Sequence, residues 1–206
     1  VFLTVLYALF VFVALRLVSL AAALLVAVAL GALTALIRAG AIDPSPDFGY
    51  RLMTGHGVVA FFYWLYFAQA AVLLAFAAGS GAGRIALAPL AWLGGALMVG
   101  GLALAGYATI AGPPLLYDGA PEIVGDEPRA ALPFYAGYLV LSAGLAGVAA
   151  SAVATALAGK ARAASQWSAV AFGTVAWAGL LIVSAVAAFN AFLPAAAWAA
   201  GWRAMP

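Results

Sequence analysis

From Trp167 to Phe192 no side chain carries a charge, and the same holds for Leu17–Ile37, Leu87–Ile110 and Ala131–Leu157. A fifth apolar stretch, Leu52–Ala78, contains the only histidine of the 206 residues, His56. An α-helix needs about 20 apolar residues to cross a hydrocarbon core about 30 Å thick, and each stretch is long enough. None shows the in–out alternation of a membrane barrel strand. Charged residues make up 7% of the chain and mean hydropathy is +1.18, whereas a soluble domain carries about 25% charge. The expected fold is an all-α, polytopic membrane helix bundle. It forms a single membrane domain over residues 1–206, with about five transmembrane helices near 17–37, 52–78, 87–110, 131–157 and 167–192.

Val1 to Arg38 is apolar apart from Arg16 and, as one helix, would be roughly 57 Å long. The first span is therefore placed at about Leu17–Ile37, with Arg16 at a membrane face. Residues 1–15 then continue the helix, lie along the surface, or add a sixth span. The chain begins with Val1, which points to a processed or incomplete N-terminus. Asp43-Pro44-Ser45-Pro46-Asp47 marks a polar loop within Ala39–Arg51, and Gly79-Ser80-Gly81-Ala82-Gly83-Arg84 a short connector. The third span carries Gly94, Gly95, Gly100, Gly101 and Gly106, small residues that let helix backbones approach closely in lipid. Pro194 is expected to end the fifth span. Beyond it Trp198 and Trp202, four apart, would share a helical face as an interfacial anchor before Arg203.

The loop charges orient the bundle. All six acidic residues lie in the connectors at 39–51 and 111–130 (Asp43, Asp47, Asp118, Glu122, Asp126 and Glu127). The other two connectors hold Arg84, Lys160 and Arg162 and no acid. Basic connectors stay on the cytoplasmic side. The N-terminus is then cytoplasmic, the loops 39–51 and 111–130 lie outside, and His56 sits just inside the outer surface.

An imidazole in hydrocarbon needs a partner, because an unpaired polar ring there costs several kcal/mol in rough terms. Gly55 and Gly57 flank His56. Bare backbone on both sides would let a broad, flat group such as a porphyrin approach with its iron on the ring nitrogen. Helical period places Val59, Ala60, Tyr63, Phe67 and Ala70 on the face of His56, small near the histidine and aromatic further along. The plainer alternative is a buried histidine bonded to a neighbouring carbonyl. With no cysteine, no second histidine and no carboxylate cluster in a span, the chain builds no complete zinc, copper or di-iron site. Gln69, Thr109, Thr174, Ser184 and Asn190 are the polar side chains in the spans that could hold water.

Thr54-Gly55-His56-Gly57, followed by Phe61-Phe62-Tyr63-Trp64-Leu65-Tyr66-Phe67, resembles the second transmembrane helix of haem–copper oxidase subunit I, in the branch whose motif reads His-Gly. Gly112-Pro113-Pro114-Leu115 resembles that family's Pro-Pro-Leu loop, and Phe134-Tyr135-Ala136-Gly137 its Phe-Tyr-x-Gly helix start. The resemblance implies that His56 is an axial ligand of a low-spin haem, with Gly55, Gly57, Ala60 and Tyr63 around it. It also implies a bacterial or archaeal-type inner membrane. The family's subunit I has about a dozen helices, and this sequence stops where the sixth would begin. The copper ligands, the high-spin haem ligand and the second axial histidine are therefore not in it. Three expectations follow: the N-terminal half of a split or truncated subunit I, completed by another chain; a haem-binding electron-transfer subunit whose second ligand comes from a partner; or a non-catalytic structural subunit that kept the fold without haem. None would reduce oxygen alone. All three expect other integral membrane subunits as partners.

Overall fold

The computed structural model describes residues 21–80, 83–112, 128–163 and 168–202. These residues form helices α1 (Ala21–Arg38) and α2 (Pro46–Gly57), a π-helical segment (Val58–Leu65), and α3 (Tyr66–Ser80). Then come α4 (Ala88–Ala111), a 3-10 turn (Pro128–Ala131), α5 (Leu132–Ala163) and α6 (Ala169–Ala199). No strand occurs among the described residues. The fold is an all-α helical bundle. Helices α1, α4, α5 and α6 are long and apolar enough to cross a membrane, so this is a multi-pass membrane protein. The stretch expected as the second span is composite, with α2, the π segment and α3 following one another directly. Residues 1–20, including Arg16, and the acidic connector at 113–127 lie outside the described residues.

Local chemistry sets the helix ends. Ser45 caps α2, its hydroxyl accepting from Phe48 N, with Pro46 at the first helical position and Asp47 in the first turn. The helix therefore starts ahead of the span expected from Leu52 and takes up part of the loop expected at 39–51. Ser168 caps α6 in the same way, accepting from Ala171 N at 3.1 Å. At the far end of α6, Gly201 has φ +77°, and Gly201 N and Trp202 N donate back to Trp198 O and Ala197 O. This crossed pair is a Schellman cap, and glycine carries its left-handed turn without strain.

Two expectations for this region are corrected. Pro194 lies inside α6, which continues to Ala199. A proline removes one backbone bond, but Phe192, Ala196 and Ala199 are all buried in the core, and their packing carries the helix past it. The Schellman cap also ends the helix before Trp202. Trp198 therefore packs against the core while Trp202 stands 84% exposed, and the two share no face.

Helix α5 is the centre of the bundle, with α4, α6 and α3 packed around it. Its first turns bury Phe134, Tyr135 and Tyr138. The Tyr138 ring stacks on Phe192 of α6 at 4.2 Å and meets Phe62 of the π segment edge-on at 4.3 Å. Between α4 and α5 the backbones touch. A Cβ on Gly94 would lie 2.6 Å from Gly144 O, one on Gly144 2.5 Å from Gly94 O, and Gly101 and Gly137 oppose each other in the same reciprocal way. At one end of this pair Ser151 Oγ donates to Leu87 O, and Thr155 Oγ1 accepts from Ala86 N, both at 3.0 Å. These two α5 hydroxyls satisfy backbone groups at the entry to α4 that lipid could not.

At the other end Arg51 of α2 donates to Thr109 O (3.3 Å) and Ile110 O (2.9 Å), the last carbonyls of α4, and pairs with Asp47 at 2.9 Å. A guanidinium at a helix C-terminus meets orphan acceptors and the negative end of the dipole together. Arg51→Ala is expected to lower stability by about 1 kcal/mol, the contact being partly exposed. Asp47→Asn should cost less, since it leaves the α4 carbonyls bonded. Unfolding midpoints in mixed detergent micelles measure both, and equal midpoints for wild type and Arg51→Ala would remove this role.

Candidate functional site

The site is built where α1 lies against the junction of α2 and the π segment. His56 is half-buried in the last turn of α2, and its Nδ1 lies 2.8 Å from the carbonyl oxygen of Ala27 on α1. A carbonyl only accepts, so this distance places the proton on Nδ1 of the neutral ring. Among the described residues Nε2 has no hydrogen-bond partner. The ring rests on Gly31 of α1. A Cβ there would lie 2.8 Å from Cε1, 3.2 Å from Nδ1 and 3.3 Å from Nε2. Three such similar distances describe an atom above the ring's face, so the missing side chain of Gly31 is what admits the imidazole.

Beside the histidine runs an open groove of about 290 Å³, lined by Leu24, Ala27 and Val28 of α1 and by His56, Ala60, Trp64 and Leu65. Neighbours on one face of an α-helix are three and four residues apart. The i→i+5 bonding of a π-helix widens the turn, so they become four and five apart. The spacings from His56 to Ala60, from Ala60 to Trp64 and from Ala60 to Leu65 fit the wider turn. An α-helical period reaches Ala60 and Trp64 in steps of four but puts Leu65 on the opposite face. Residues Leu24, Ala27, Val28 and Gly31 were also missed, because nothing in the sequence pairs α1 with His56.

Of the residues singled out in the sequence, Ala60 lines the groove with His56. Gly57 is buried. Gly55 faces Leu30 of α1 and Thr109 of α4, at ordinary contact distance from where its Cβ would be. The side chain of Tyr63 lies outside the described residues. Thr109, Thr174 and Gln69 find partners within the bundle. Thr109 and Thr174 hydroxyls donate to the carbonyls of Ala105 and Val170, and Gln69 Oε1 accepts from Trp177 Nε1 at 3.5 Å. Met53 Sδ accepts from Arg38 Nη2 at 3.5 Å, and Met98 is buried against Gly144.

The donor set fits one side of a metal centre. An imidazole whose far nitrogen donates to a carbonyl is oriented as metal-binding histidines are, and the adjoining wall is apolar except for His56 itself. Among the described residues lining the groove, His56 is the only one with a metal-ligating side chain. Fold and site define a multi-pass helical membrane protein with one imidazole held at a helix–helix contact. Comparison with family models, curated proteins and solved structures finds no match to this chain.

Proposed function

We propose that this chain is the N-terminal, low-spin-haem-binding part of a haem–copper oxidase-like subunit I, acting in electron transfer within a respiratory membrane complex. The observation that carries this reading is the Nδ1 contact of His56 with Ala27 O at 2.8 Å, beside an apolar groove. It leaves Nε2 as the acceptor nitrogen, the form in which imidazole ligates iron. Bound haem would supply one-electron chemistry. The chain's own contribution is to fix the ring, to shield one side with Leu24, Val28 and Trp64, and to keep that wall free of water-binding groups. The second ligand to the iron and the copper ligands would be supplied by a partner membrane subunit.

Orientation belongs to the same proposal. The Arg51 contact with Ile110 O brings the start of α2 and the end of α4 to one end of the bundle, where Asp43 and Asp47 lie. The Ser151 and Thr155 contacts bring the entry to α4, after Arg84, to the opposite end with the part of α5 that leads to Lys160. The end with Arg84 is assigned to the cytoplasm. The chain has no cysteine, so single-cysteine variants report without background. Sites near Asp47 and Glu122 should be labelled from outside and a site at Arg84 should be spared; the reverse pattern defeats the orientation.

A second reading has its own support, since the bond to Ala27 O also satisfies His56 as an ordinary buried histidine. The protein would then be a non-catalytic structural subunit. A reduced-minus-oxidised spectrum of the complex purified through this chain separates the two. Low-spin haem bands are expected, and their absence favours the structural subunit.

A further inference from the structure

We infer that Gly31 is the positioning residue of His56, and that helix α1 selects its tautomer. The atoms that a Cβ on Gly31 would meet most closely are Cε1, Nδ1 and Nε2 of His56. With the ring seated on this bare backbone, Nδ1 reaches Ala27 O one helical turn earlier. A side chain at position 31 would push the ring off α1 and break that contact. Because the displaced atoms are the far end of a flexible side chain, the ring moves and the helices need not. The consequence falls on chemistry more than on stability. With the bond made, the ring offers Nε2 as its acceptor, suited to a metal ion or a hydrogen-bond donor. Without it, either nitrogen can carry the proton. The haem reading is not required for this, but where haem binds through His56, Gly31 governs which nitrogen is available to it.

A single histidine makes the test direct. The full chain is labelled with 15N-histidine and reconstituted in lipid nanodiscs, where every imidazole signal comes from His56. The wild-type spectrum of the neutral ring is expected to show protonated Nδ1 and unprotonated Nε2. In Gly31→Ala the ratio of that tautomer to the other should fall about tenfold, the order of one hydrogen bond. Gly100→Ala serves as the control, because a Cβ there meets nothing within 4 Å, and it should leave the spectrum unchanged. A wild-type ring protonated on Nε2 overturns the inference whether or not the variant folds. So does an unchanged tautomer ratio in Gly31→Ala, or an equal change in Gly100→Ala. Haem content measured on the same samples is a separate readout: a wild-type chain that takes up no haem but shows the Nδ1–H tautomer defeats the haem reading and leaves this one standing.

Discussion

Gly101→Ala is expected to destabilise the bundle by on the order of 1–3 kcal/mol, while the same change one residue earlier, at Gly100, is expected to be neutral or stabilising by up to about 1 kcal/mol. A Cβ on Gly101 would run into Gly137 O and Leu141 N, which are backbone atoms of α5 and cannot swing aside. Relief requires the two helices to separate, and that loosens the contacts Met98, Leu102 and Leu145 make in the core. Gly100 faces open space, so an added methyl there meets only the intrinsic preference of a helix for alanine. Gly94 opposes Gly144 at the same seven-residue interval, and Gly94→Ala should behave as Gly101→Ala does. The double variant should fall short of the sum, because helices already parted by the first methyl accommodate the second. Midpoints of detergent-driven unfolding, followed by loss of helicity, measure the series. Equal midpoints for the variants at 100 and 101 would mean that α4 and α5 do not meet along this face.

The glycines illustrate what the sequence makes legible. Gly94, Gly95, Gly100, Gly101 and Gly106 announce a close helix contact, but periodicity cannot say which of them touch a partner. Gly94 and Gly101 do, and Gly100 and Gly106 meet nothing. Four long apolar helices were readable because uncharged length alone calls for them, while the stretch expected as the second span is broken into α2, the π segment and α3. Helix ends governed by tertiary packing were not: α6 passes Pro194 because Ala196 and Ala199 are buried beyond it. The site was half legible. His56 stands out as the only imidazole in the sequence, and Ala60 follows it on the face lining the groove. The π-helical turn that brings Leu65 to the groove depends on i→i+5 bonding, for which Val58–Leu65 carries no sequence mark. Gly31 was invisible for a different reason, since its meaning lies wholly in a helix that is distant in the chain.

On the haem reading, His56→Ala is expected to abolish the low-spin haem signal of the purified complex, and His56→Met to retain a signal at an altered potential, because ligand identity sets the potential. Neither of the two described methionines can replace His56 from its own position. Met53 lies three residues earlier on α2 and is engaged by Arg38, while Met98 is buried in the contact between α4 and α5. One straight helix cannot reach both faces of a flat macrocycle, so on the haem reading the second ligand is expected from another chain. His56→Met should therefore change one ligand and leave the other. The two substitutions also separate binding from stability. Removing a bonded, half-buried imidazole forfeits about 1 kcal/mol at this one contact, too little to unfold a bundle whose core is centred on α5. If both variants fold and the wild-type haem spectrum survives in each, the haem is not on His56. The imidazole then serves only to hold α1 against α2, which is the role the structural-subunit reading gives it.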